Sequence, residues 1–205
     1  MESVEKVKLE DLLTEEEIET VAKRAFGESF SKLIEHQLEN YSDTKLGFLG
    51  NHSRLNLTAE LKNQEILKFS FFVKSMFPRT ANQTEFRSDI LPFEEENIFY
   101  SNVAPEIYKN CIIERWSAQC YLAKSNILVL EDLKEFSMGV RPLSGKNLTS
   151  VLCLLARFHA SSILTEARLG QTLDQAFPDS FKEKLFNESS EGQKWLAGSI
   201  DIAKT

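Results

Sequence analysis

A lysine inside an aromatic run is the first residue whose surroundings demand chemistry. Lys74 ends Phe71-Phe72-Val73-Lys74, and Ser75-Met76-Phe77 follow. A buried ammonium is unfavourable without an anion beside it, so this lysine needs a partner. Phosphate oxygens and a neighbouring carboxylate would both serve. Glu96, in Phe93-Glu94-Glu95-Glu96-Asn97-Ile98-Phe99-Tyr100, is the candidate carboxylate. It shares a helical face with Phe93 and Tyr100, three and four residues away. Glu95 is the fallback, since charge runs on helices are mostly solvated faces. The bland reading of Lys74 is a solvent-facing residue on an edge strand. A third piece favours the functional one. Ile127-Leu128-Val129-Leu130 is an apolar strand running into Glu131-Asp132-Leu133. Backbone groups from Glu131 to Leu133 at such a strand end would meet adenine, as in the nucleotide-binding lobe of a kinase.

Other residues add less. Gly47 and Gly50, in Leu46-Gly47-Phe48-Leu49-Gly50-Asn51, could let backbone amides lie over phosphates. An ordinary hairpin turn fits those two glycines as well. His159, in Leu155-Ala156-Arg157-Phe158-His159-Ala160, is expected to be a structural core histidine. With His36 and His52 it makes no metal-ligand spacing. Kinase chemistry also needs an Asp to orient the hydroxyl, an Asn five residues later and a second Asp for Mg²⁺. After the apolar strand and its polar sequel, the chain offers Asp174, Asp179 and Asp201, none followed by an Asn at that distance.

The elements that must hold these residues can be read in order. Thr14 and Glu17 form a capping box, Ile18, Val21, Ala22 and Ala25 recur at helical spacing, and Gly27 suits the stop. Leu55, Leu57, Ala59 and Leu61 alternate with polar residues, which predicts a half-buried strand. Lys62-Asn63-Gln64-Glu65 reads as a turn into a second strand, Ile66 to Phe77. Pro92 opens a helix and Pro105 is expected to end it. Cys120 to Ala123 and Ile127 to Leu130 are short strands. The polar segment from Lys134 to Lys146 reads as a connection, so residues 1–133 form one unit and 134–205 another. A helix with Leu148, Val151, Leu152, Leu155 and Phe158 on one stripe begins the second. Val151, Leu155 and Phe158 are expected to stay uncovered and to favour self-association.

The totals set limits. Lysine and arginine number 24 against 31 acidic residues, a net charge of −7, so no basic excess exists for nucleic acid or an acidic membrane. The cysteines, Cys111, Cys120 and Cys153, form no disulfide framework and suit a reduced, cytoplasmic protein. No run reaches the ~18 apolar residues of a membrane span, and no apolar leader opens the chain.

Phe-Phe-Val-Lys74, Phe93-x-x-Glu96-x-x-Phe99-Tyr100, Leu128-Val129-Leu130-Glu131-Asp132-Leu133 and Leu155-Ala156-Arg157-Phe158-His159-Ala160 resemble the ecdysteroid kinase-like family of insects. Its members carry a CHK kinase-like domain related to choline and aminoglycoside kinases. The resemblance spans roughly residues 10 to 200. It implies an α+β, protein-kinase-like amino lobe with an antiparallel sheet, followed by the first helices of a helical lobe. It also implies ATP and Mg²⁺, and phosphorylation of a hydroxyl on a small molecule, an ecdysteroid or a xenobiotic. Lys74, Glu96, Glu131, Leu133, Gly47 and Gly50 would contact or support the nucleotide. The glycine loop here is short, and the family's His-Gly-Asp loop and Asp-Phe metal motif do not occur. The expectation is the amino-terminal part of a longer enzyme, or alternatively a pseudokinase remnant, with no catalytic residue of its own.

Overall fold

The computed structural model describes residues 12–42, 51–76, 92–109, 115–133 and 145–182. The first helix, α1 (Glu15–Phe26), starts where the capping box places it: the Glu17 N–H donates to Thr14 Oγ1 and the Thr14 N–H to Glu17 Oε2. Gly27 closes it at φ +56°, a backbone angle that other residues adopt at a penalty. A short 3₁₀ turn then leads into β1 (Phe30–Asn40), which the sequence did not announce. Two register shifts against β2 (Asn51–Leu61) break the alternation of β1, so no period of two is visible in it. Its Glu, His, Gln and Asn residues suit an edge strand.

The predicted hairpin is present, as β2 and β3 (Ile66–Ser75). Phe77 lies outside the described residues. In the turn the Leu61 N–H donates to Glu65 O and the Gln64 N–H to Leu61 O, which forces Gln64 to φ +69°. A non-glycine residue there carries a steric penalty of roughly 1–2 kcal/mol. Gln64→Gly is therefore expected to stabilise the hairpin, by less than that because glycine loosens the unfolded chain. Chemical denaturation should show a gain of about 0.5 kcal/mol. A loss would overturn this account of the turn.

The helix after β3 corrects the expectation at Pro105. α2 (Pro92–Ile98) passes through a π-helical turn, Phe99–Val103, into α3 (Ala104–Tyr108). The Ala104 N–H reaches back to Phe99 O, so the wide turn restarts the helix and puts Pro105 in a first turn, where its missing N–H does no harm. β4 (Cys120–Lys124) and β5 (Ile127–Glu131) complete one sheet of order β1-β2-β3-β5-β4, antiparallel throughout. β5 is buried on both faces, which explains its unbroken apolar run. Its Ile127 and Val129 join Leu55, Leu57, Phe71 and Val73 under α1. Leu128 and Leu130 join Phe93 on the opposite face, with Phe72, Met76 and Tyr100 packed against them.

α4 (Gly145–Leu169) and α5 (Leu173–Ala176) dock on the far side of α3. Val103, Ile107 and Leu173 form that core, and Trp116 stacks on Tyr108 at 4.7 Å and meets Phe158 at 4.7 Å. Arg168 donates to the carboxylate and the carbonyl of Glu106. Val151 (45 %) and Leu155 (48 %) are exposed as expected, but Phe158 is half-buried because Trp116 covers it. His159 is exposed on α4 and not in the core, which corrects its structural reading. Leu148–Leu169 of α4 has the length and apolar content of a membrane span, although no unbroken apolar run occurs in it.

Candidate nucleotide-binding site

β3 is the middle strand of five, so Lys74 is on no edge. His52 pairs with it across β2 and Leu128 across β5. Alternation along β3 sends Phe71, Val73 and Ser75 into the α1 face and leaves Phe72, Lys74 and Met76 on the α2 face. Phe93 anchors α2 on that face, and the next helical turn presents Glu96 to the strand. Lys74 Nζ donates to Glu96 Oε2, and its ammonium lies 5.7 Å from the centroid of the Phe93 ring. Among the described residues the fallback, Glu95, makes no such pair. Both partners keep over a quarter of their side-chain surface in solvent, 28 % for Lys74 and 29 % for Glu96. That leaves the ammonium open to an anion while the carboxylate orients it.

Asn97, which no sequence motif singled out, fixes the helix at its other side. Its amide donates to the Lys124 carbonyl at the end of β4, and Ser101 donates to its oxygen. Asn97 ties α2 to the same hairpin that supplies β5, so the distance between Lys74 and Glu96 is set from both ends. The signal for it was present only as one amide beside three glutamates.

At the far end of β5 the acidic segment divides its work. The Glu131 N–H donates to Gln119 O at 2.8 Å, and its carboxylate pairs with Arg115 at 3.2 Å. Asp132 turns under the sheet instead. Arg54 Nε donates to its Oδ2 at 2.9 Å, Ser70 Oγ to the same oxygen at 3.1 Å, and the Tyr41 hydroxyl to Oδ1 at 3.0 Å. The Asp132 side chain is only 3 % exposed. The Arg54 guanidinium also sits 4.7 Å from the centre of the Tyr41 ring. Burial, reinforced by the bond to Asp132, raises the Tyr41 phenol above its ordinary range and keeps it a donor. Leu133 is exposed. Gly47 and Gly50 lie outside the described residues.

Two grooves lie elsewhere, one of about 430 Å³ along Glu35, Asn56 and Lys68, another of about 370 Å³ between Tyr100, Tyr108 and Cys120. Burial pushes the Cys120 thiol up to about 11, so it stays protonated in that second groove, which Arg115 also lines. Neither groove is lined by Lys74 or Glu96. Among the described residues no three His, Cys, Asp or Glu side chains gather to hold a metal. Glu96 is engaged by Lys74 and Asp132 by Arg54, so these residues do not fit a Mg²⁺ site of their own.

A lysine on the central strand paired to a glutamate on the covering helix is the phosphate-gripping device of kinases. The family model described as ecdysteroid kinase-like matches residues 47–204. The chain belongs to the ecdysteroid kinase-like family. The antiparallel sheet with its helices is thus a kinase-like amino lobe. As a member of the ecdysteroid kinase-like family, the chain carries kinase-like phosphotransferase architecture, and α1 and β1 precede the matched region. No curated protein and no solved structure matches the chain.

Proposed function

We propose that this chain supplies the ATP-binding part of a phosphotransferase that acts on a hydroxyl of a small molecule, an ecdysteroid or a xenobiotic. The observation that carries the reading is the Lys74–Glu96 pair, held on a central strand and its covering helix. Such a pair draws the α- and β-phosphates, while the backbone from Glu131 to Leu133 borders adenine. Mg²⁺ would accompany ATP as the phosphates' counter-ion. A cytoplasmic setting agrees with Cys120 and Cys153, which are free thiols. The exposed leucines and valine of α4 would support self-association.

A second reading is a nucleotide-binding or interaction protein without turnover. Asp174 and Asp179 favour it, since both are exposed, and Asp179 pairs with Lys182. Positioning and electrostatics carry nearly all of phosphoryl transfer, and a solvent-exposed carboxylate, or one already paired with Lys182, is poorly placed to supply them. Calorimetric titration with Mg-ATP, followed by an ADP assay over a panel of ecdysteroids and small alcohols, separates the two. The expected result is saturable ATP binding with ADP release at background. No binding would sink the first reading and leave only an interaction role for the second. Turnover that Lys74→Met abolishes would assign a catalytic role to Asp174, Asp179 or Asp201 and restore the first reading in full.

A further inference from the structure

We propose that Asp132 is a positioning residue for base recognition, one that anchors the Glu131–Leu133 segment to the underside of the sheet. The inference rests on the ATP-binding reading above and assigns the part of that site which handles the base.

Three strands or their ends converge on one carboxylate. Tyr41 follows β1, Arg54 belongs to β2 and Ser70 to β3, and each donates to Asp132, which follows β5. The polypeptide leaving β5 therefore cannot swing away from the sheet without breaking bonds to a buried charge. Such a segment, freed of its anchor, would present its backbone groups in many directions. A base needs them in one. Among the described residues the buried Arg54 Nη2 has no hydrogen-bond acceptor, so its Nε–Asp132 bond is its short charge-assisted contact. Among the described residues only Glu39, at 4.0 Å, offers it a second carboxylate.

The placement along β3 separates this anchor from the phosphate grip. Ser70, Phe72 and Lys74 share one face, so the anchor lies about 13 Å from Lys74 along the strand. Phe72 stands between them, with the Tyr41 ring at 4.9 Å and the His52 ring at 5.2 Å. Only the part of this partly buried ring left open by Tyr41, His52 and the Phe93 cluster is available to a base, which would stack against it beside the anchored segment. The line of residues thus reads anchor, stacking ring, cation. The anchored segment and the ring would serve the base, and the cation the phosphates.

The test measures two ligands on the full chain, Mg-ATP and inorganic tripolyphosphate, which has the phosphates without the base. Variants are Asp132→Asn, which removes the charge, and Tyr41→Phe, which keeps the ring and removes one bond to Asp132. Circular dichroism checks that both fold. Each is expected to weaken ATP by about ten-fold, the loss of one charge-assisted bond, and to leave tripolyphosphate unchanged. Lys74→Met should weaken both ligands. Equal weakening of ATP and tripolyphosphate in Asp132→Asn and Tyr41→Phe would reduce Asp132 to a general stabiliser and overturn the inference. Tighter ATP binding in the variants would show that Asp132 blocks the base site, and would overturn it as well. Wild-type protein that binds tripolyphosphate but not ATP overturns base recognition, whereas wild type that binds neither overturns the nucleotide reading from which the inference starts.

Discussion

Lys74→Met is expected to lower ATP affinity roughly ten- to a hundred-fold, the loss of charge-assisted bonds worth about 1.5–3 kcal/mol. Methionine fills much of the volume of the lysine stem and keeps Phe72 and Phe93 packed. Stability should change by less than about 1 kcal/mol, because the Lys74–Glu96 pair is more than a quarter exposed on both sides and solvent screens it. The two effects therefore separate, and a calorimetric titration beside a thermal melt reads both. Glu96→Gln should weaken ATP less, since glutamine can still accept a bond from Lys74 but no longer holds it by charge. Unchanged ATP affinity in Lys74→Met would show that the lysine is only a structural partner of Glu96. The nucleotide assignment would then lose the observation that carries it.

That pair was legible in the sequence because two strong constraints met in it. A lysine in Phe-Phe-Val-Lys is anomalous inside an apolar strand, and the helical spacing of Phe93, Glu96 and Tyr100 is local. The capping box and the β2–β3 hairpin were legible for the same reason, since each is decided within a few residues. β1 was not. Its register shifts erase the alternation on which strand reading depends, and its polar composition suits an edge. The passage through Pro105 was hidden because proline normally ends a helix, and only the π turn before it permits another start. The Asp132 cluster was invisible for a different reason. Tyr41, Arg54, Ser70 and Asp132 are separated by as many as 91 residues in the chain and meet only when four strands align. No local pattern distinguishes Arg54 from the other polar residues of β2. Whether such a residue faces solvent or a buried carboxylate is settled by Asp132, 78 residues further along the chain.

Arg54→Ala is expected to be the most damaging single change among the polar residues, at about 3 kcal/mol. It removes a cation bonded to a carboxylate that is 3 % exposed. Tyr41 and Ser70 would still donate, but two neutral bonds do not balance a buried charge. Breaking a buried pair typically costs about 3–5 kcal/mol, and the partial exposure of Arg54 places this case at the low end. Folded domains hold only about 5–15 kcal/mol in all, so the loss is large. Urea unfolding should show a lower midpoint with an unchanged slope. The double variant Arg54→Met with Asp132→Leu decides the cause. It removes both charges and returns apolar volume, so it should recover most of the loss while abolishing the anchor of the Glu131–Leu133 segment. If the double variant is no more stable than Arg54→Ala, an uncompensated Asp132 charge was not the cause of the loss. If it is as stable as the wild type and still binds ATP at wild-type affinity, the cluster is dispensable to both fold and site. Recovery of stability together with a weakened base grip is the outcome that ties this buried pair to function, because stability alone would have chosen the apolar replacement.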